Sequence, residues 1–284
     1  MNTNDLKLFE AVALHGNFTK AAEAMYTVQS NVTARIKNLE EEFGATLFLR
    51  TSRKVELTSA GKKVLLCCKQ INNLIENTKF AVGKDDKIKG QLKVGFLETT
   101  MALKGPDLIN ELAEKFPLID IDFTSAMRDK LIEDVLNFKL DAAFIPMPIF
   151  AEELEKVVIN EERIVIVAPE RFNNVDELLK QPRPRAIVFD QGCFFRTRLE
   201  AWLVNKNITN YNKTVMNSME GVINFIESGI GFSLLPSEII SAFYKDRKIK
   251  TFPLPAEIGK IKNVLVYRKD NLSSPVLNAF IGLF

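Results

Sequence analysis

At 284 residues and 46% hydrophobic content, the chain is long enough for two domains with ordinary cores and too apolar for a disordered one. No apolar run reaches the roughly 18 residues of a membrane helix, and the N-terminus MNTNDLKLFE lacks the basic-then-apolar layout of a secretion signal, so the chain is expected to be cytoplasmic. Three cysteines (Cys67, Cys68, Cys193) and one histidine (His15) argue against a metal site, while residues 1–90 hold 14 Lys+Arg and 10 Asp+Glu, leaving 24 against 26 for the rest, a mildly basic front on a mildly acidic back.

Leu6, Phe9, Val12 and Ala13 fall at helical spacing, and His15-Gly16-Asn17 stops that helix. FTKAAEAMY then predicts a short helix whose Ala21, Ala22 and Ala24 permit close packing, with a turn around Thr27. In a third helix Val32, Ile36, Leu39 and Phe43 form a stripe expected to be buried, and Gly44 is placed to cap it. Two short extended pieces, ATLFLRT and RKVELT, joined around Ser52 and Arg53, predict a hairpin or wing. From Thr58 to about Lys87, Val64, Cys68, Ile71, Ile75, Thr78 and Val82 make a heptad seam. Such a seam fits pairing of two copies, or an amphipathic helix packed on its own domain. GKDDKIKG, residues 83–90, reads as a linker.

After Gly90 the period changes. QLKVGF, IDIDFTS, LDAAFI, RIVIVA, RAIVFD, KTVM, GFSLLP and NVLVYR read as strands, with helical patterns such as PDLINELAEKF, DKLIEDVLNF and EGVINFIES between them and PVLNAFIGLF closing the chain. Alternation of this kind predicts mixed α/β sheets. Two such runs, breaking near Glu161 and Glu162, predict two lobes with a cleft between them.

Helix, tight turn, helix and wing is the arrangement that inserts its second helix, N-terminal end first, into the major groove of double-stranded DNA. Gln29, Ser30, Asn31 and Thr33 at that end can bond base edges and phosphates. Arg35 and Lys37 are expected to reach backbone phosphate. Glu40, Glu41 and Glu42 sit at the far end, where carboxylates repel no DNA.

The stretch NFTKAAEAMYTVQSNVTARIKNLEEEFGATLFLRTSRKVELTSAG resembles the N-terminal domain of the LysR-type transcriptional regulators of bacteria. The likeness rests on Phe18, Ala21, Ala22, Gln29, Val32, Thr33, Ile36, Leu39, Glu40, Gly44, Leu47, Phe48, Arg50, Leu57, Thr58 and Gly61. Val28 departs from the pattern: it stands where the family has a hydroxyl, with Thr27 as a substitute cap. The resemblance implies an α/β protein overall, with a winged helix-turn-helix over 1–60, a linker and dimerisation helix over 58–89, and a two-lobed α/β effector domain of the type II periplasmic-binding-protein kind over 90–284. Lobe I is expected at about 90–161 plus 267–284, and lobe II at about 162–266. It further implies a homodimer assembling to a tetramer, an interrupted palindrome as operator, contact with RNA polymerase, and an unidentified small-molecule effector with no cofactor. Arg50 and Arg53 join Thr27, Gln29, Ser30, Asn31, Thr33, Arg35 and Lys37 as expected DNA contacts.

For the effector, strand ends that precede helices nominate Thr99, Thr100 and Met101, then Ser125, then Gly192, Cys193 and Phe194, with the turn and strand Gly229 to Pro236 beside them. Cys193 next to Arg196 and Arg198 is either a reactive thiolate or a packing residue. With His15 confined to the first helix and no phosphate-binding glycine motif, an enzyme is the weaker reading. The alternative is a two-lobed binding protein or enzyme whose front domain serves assembly.

Overall fold

Asn2 opens the first helix, α1 (Thr3–His15): its side chain accepts the Asp5 N–H while the Asp5 carboxylate accepts the Asn2 N–H, a reciprocal cap. Gly16, left-handed at φ +57, ends it. Asn17 caps α2 (Phe18–Ala24), α3 spans Gln29–Phe43, and Gly44 closes α3 at φ +62. Phe9, Val12, Ala21, Ala22, Val32, Ile36 and Leu39 bury their side chains together with Leu47 and Phe48. Phe43 departs from the expected stripe. It lies in the last turn of α3, where the chain leaves at Gly44, and is 43% exposed.

The wing is a two-stranded antiparallel pair, β1 (Phe48–Arg50) and β2 (Val55–Leu57). Then α4 runs over Ser59–Val82. Thr58 Oγ1 accepts the Gly61 N–H at 2.9 Å and donates to the Thr46 carbonyl at 2.8 Å, fastening the start of α4 to the wing. The heptad seam divides: Val64 and Cys68 are buried and Ile71 packs on the same core, with Asn72 Nδ2 donating to Glu10 Oε2 at 2.6 Å on α1. Farther along, Leu74 and Val82 are 60% and 78% exposed. Self-packing thus takes the first half of the seam, and the second half is left uncovered by the described residues of its own unit.

The computed structural model describes residues 1–50, 54–82, 88–271 and 274–284. It falls into two compact units, Met1–Asp85 and Asp86–Phe284. Residues 83–87 of the expected linker lie outside the described residues, and Ile88 already packs on the second unit's core. No helix among the described residues is long and apolar enough to cross a membrane.

In the second unit, β3 (Gly90–Phe96), α5 (Glu98–Lys115), β4 (Ile119–Ser125), α6 (Arg128–Leu136) and β5 (Ala142–Pro146) build a first lobe, with β3 parallel to both β4 and β5. The 16-residue β6 (Leu154–Pro169) then carries the chain across, a strand far longer than RIVIVA. The second lobe follows as α7 (Val175–Leu179), β7 (Arg185–Val188), α8 (Phe194–Asn205), β8 (Asn212–Val215), α9 (Met219–Glu227), β9 (Ser233–Pro236), α10 (Ser237–Phe243), β10 (Ile249–Pro253) and α11 (Ala256–Gly259). The return strand β11 (Lys260–Arg268) pairs with β6 throughout, and α12 (Pro275–Ile281) ends the fold on the first lobe. From Asn263 to Tyr267, β11 also pairs with β5. The chain therefore re-enters lobe I by Asn263 rather than near residue 267, because one continuous strand serves both lobes.

Within lobe I, Asp141 accepts the Lys93 N–H at 2.8 Å and a longer bond from Asn271. Burial pushes its carboxyl above the ordinary 3.8. The folded state therefore holds a proton that the unfolded chain loses above pH 3.8, and stability falls as pH rises through the folded value. Asp141→Asn keeps an oxygen for the Lys93 N–H. It should raise Tm at pH 7, with the gain shrinking as the pH is lowered toward 3.8; thermal scans across that range check it.

Candidate functional site

Among the described residues, longer helices with N-termini that no side chain caps are found at two candidate sites. The caps of α1, α2, α7, α9 and α12 are closed by side-chain oxygens. Those of α3, α5, α6 and α8 have no side-chain bond, which leaves first-turn N–H groups and the positive dipole end available to an anion. The short α10 and α11, which start after prolines, also lack a side-chain cap bond.

The first place is the front of α3. Val28 occupies the cap position and is 64% exposed. Thr27 does not replace the missing hydroxyl: its Oγ1 accepts from Asn31 Nδ2 at 2.9 Å, which leaves the Asn31 amide oxygen and a second amide N–H for other partners. Thr33 donates back to the Gln29 carbonyl at 3.0 Å. Gln29 and Ser30 are exposed, as is Lys37, 3.6 Å from Glu41.

Arg35 and Arg50 are not the free cations the sequence implied. Arg35 Nη1 sits 2.9 Å from the buried Asp5 carboxylate on α1. Arg50 lies 3.3 Å from Glu40 and over the Phe18 ring. Glu40 is not merely an acid kept off phosphate either. Its Oε1 accepts the Leu47 and Phe48 N–H groups at 2.8 and 3.2 Å, so it positions the entry to the wing. Arg53 lies outside the described residues. Sequence reasoning passed over Tyr26, which is 99% exposed in a left-handed turn at φ +51 beside this end of α3. An exposed aromatic where helix spacing breaks was its only signal.

The second place is a cleft of about 410 Å³ between the two lobes of the second unit. Leu97, Met127 and Cys193, the cap residues of α5, α6 and α8, all line it. Of the expected residues, Thr99, Ser125, Cys193 and Phe194 also line it. Thr99 is only 6% exposed, and neither the Thr99 nor the Ser125 hydroxyl has a hydrogen-bond partner among the described residues. Arg128, Asp190 and Asn217 line the cleft too and were not foreseen; each sits within two residues of a strand end or a helix start. Arg128 is held by the Pro146 carbonyl at 3.1 Å, the Pro148 carbonyl and Asp129.

Two expected residues fall elsewhere because α5 begins at Glu98, well before PDLINELAEKF, and helical rotation separates its neighbours; a third, Gly192, serves a turn. Thr100 faces a different hollow, and Met101 packs on the lobe I core. Gly192 is a turn residue at φ +92 whose missing Cβ makes room near Met127. The segment Gly229 to Pro236 does not line the cleft; there Gly231 brings the chain so close to Arg185 that a Cβ would sit 2.3 Å from its carbonyl oxygen. Burial pushes the Cys193 thiol up, despite N–H groups from Phe195 and Arg196. Arg196 is turned to Glu200 and Arg198 to the Ile258 carbonyl and the Phe194 ring; the Arg196 charge draws the thiol down, but burial outweighs it.

Residues 3–62 match the bacterial regulatory helix-turn-helix proteins of the lysR family, and residues 85–284 match the LysR substrate binding domain. The chain belongs to the LysR family. Among its LysR relatives, the Bacillus subtilis HTH-type transcriptional regulator YusT is 34% identical over 284 residues, covering 100% of this chain and 95% of YusT. CzcR of Bacillus cereus, also an HTH-type transcriptional regulator, is 31% identical over 281 residues, covering 99% and 96%. A full-length OxyR variant from Pseudomonas aeruginosa shares the fold at TM-score 0.76 and 21% identity, over 100% of this chain and 95% of that one. As a LysR-type protein the chain is a DNA-binding transcriptional regulator with a small-molecule-binding domain, not an enzyme.

Proposed function

We propose that residues 1 to about 60 read DNA through the first turn of α3, with Gln29, Ser30 and the Asn31 oxygen on base edges and Lys37 near phosphate. The operator is an interrupted palindrome read by a two-fold dimer. The dimer pairs along the uncovered half of α4, where Leu74, Ile75, Thr78 and Val82 form one apolar face. Two dimers make a tetramer in the cytoplasm. An effector that prefers one arrangement of the lobes shifts the paired reading helices, and with them the contact to RNA polymerase.

The effector we infer is a small organic carboxylate. The observation carrying this is the meeting of three open helix N-termini and two unbonded hydroxyls, Thr99 and Ser125, in one cleft. Phe189, Phe194, Phe195 and Met219 give that cleft apolar walls for the rest of the ligand. Thermal scans of the full chain with aliphatic and aromatic carboxylates, each beside its neutral amide, test it. A saturable rise in Tm for an acid without turnover is expected, whereas equal response to the amide, or product formation, counts against the reading. On the DNA side, Gln29→Ala should cost about 1–3 kcal/mol at one base pair. Selection from random DNA followed by titration checks this, and equal loss on selected and random sequence argues against base reading.

A further inference from the structure

We propose that a second hollow in the effector-binding unit, at the crossing of β6 and β11, is a binding site for a small primary alkylammonium ion. It is separate from the interlobe cleft and shares no lining residue with it. Its volume is about 160 Å³, room for a ligand of a few non-hydrogen atoms. At its base lies Glu162, 6% exposed, in the stretch where β6 passes between lobes. Glu162 Oε2 accepts from Asn263 Nδ2 on β11 at 3.1 Å, beside the point where the register of the two strands slips between Asn263 and Val264. The other oxygen, Oε1, has no partner among the described residues.

A carboxylate this buried, with one oxygen open only to the hollow, favours its neutral form unless a cation is brought to it. Burial, together with the nearby Glu238, does push its carboxyl up. Lys104, the one basic residue in the lining, is exposed and makes no ion pair among the described residues; its charge draws the Glu162 carboxyl down from a distance and offsets only part of the effect of burial. Asp107 and Glu238 add negative charge to the lining. Leu103, Leu108 and Ile159 make the walls apolar, and the Phe144 and Phe284 rings meet edge to face at 5.4 Å. A charged amine end against Glu162 with a short alkyl tail along those walls satisfies both chemistries. A bare metal ion would leave the apolar walls without an occupant.

The test is titration of the full chain with n-butylammonium chloride, followed by calorimetry, with 1-butanol as the neutral isostere. Saturable binding of the ammonium and none of the alcohol is expected. Glu162→Gln keeps the volume and an oxygen for Asn263, and should weaken butylammonium at least tenfold. Should that variant fold poorly, Lys104→Met removes the competing cation and should tighten binding at low salt. Ser125→Phe, which fills the interlobe cleft, should leave butylammonium binding unchanged. The proposal is overturned by equal affinity for the alcohol, by no binding at all, by unchanged affinity in Glu162→Gln or Lys104→Met, or by loss in Ser125→Phe. Only loss in Ser125→Phe, which would put the amine in the interlobe cleft, touches the carboxylate reading; the other outcomes leave it standing.

Discussion

Alanine at Gly61 should lower the melting temperature of the DNA-binding unit by roughly 5–15 °C. The space for a side chain is missing: a Cβ there would sit 2.1 Å from the Leu47 carbonyl oxygen and 2.9 Å from Leu57 Cδ2. The first obstacle is backbone, and it is pinned from several sides. Leu47 N–H is held by Glu40, its carbonyl accepts the Thr58 N–H, and Thr58 Oγ1 holds the Gly61 N–H in turn. Relief requires α4 to lift away from the wing, breaking that set together. Overpacking of this kind costs about 2–3 kcal/mol, while the better helix propensity of alanine returns no more than about 1 kcal/mol. Amide exchange in the full chain reads the result locally, with faster exchange at Gly61 and Lys62 and unchanged protection in the sheet of the second unit. Wild-type protection at those amides would mean that the wing and α4 part more easily than their hydrogen bonds indicate.

That junction was legible in the sequence only as a pattern. L-T-x-x-G placed Thr58 and Gly61, but their physical reasons, a cap and a close approach, need Leu47 in view. Short-range features were readable: the Val32, Ile36 and Leu39 stripe, and the left-handed glycines that end α1 and α3, follow from spacing alone. Long-range pairing was not. Arg35 looked like a phosphate contact because its partner Asp5 lies 30 residues away on another helix. Glu40 looked like a solvated acid because the N–H groups it accepts belong to a segment beyond the helix end. The exposed second half of α4 was readable as a seam, whereas the burial of its first half depended on the core of α1 to α3.

In the effector unit, the same limit separated Thr99 from Thr100. Both follow a strand, and nothing in ETTMALKGPDL shows that α5 begins at Glu98 and continues through Pro106. Once it does, successive residues turn by about 100°, and the pair point into different hollows. Strand-end reasoning located the cleft to within a residue or two but could not choose a side of the helix.

The paired hydroxyls give the largest functional effect expected. Thr99→Val together with Ser125→Ala removes two unbonded hydroxyls from the cleft with little change in volume, and leaves the three helix N-termini in place. Hydrogen bonds to a charged group are worth about 1.5–3 kcal/mol each, so losing both should weaken a carboxylate effector by roughly two to four powers of ten. Thr100→Val is the internal control: it lies beside Thr99 in sequence but lines the other hollow, and should change effector affinity less than about threefold, well under 1 kcal/mol. Titration of each variant with the carboxylate that stabilises the wild type decides the matter, with DNA binding measured alongside to show that the regulator still folds and pairs. If the double variant binds like wild type while Thr100→Val loses the ligand, the effector occupies the hollow beneath α5, and the open helix N-termini of the cleft serve some other anion.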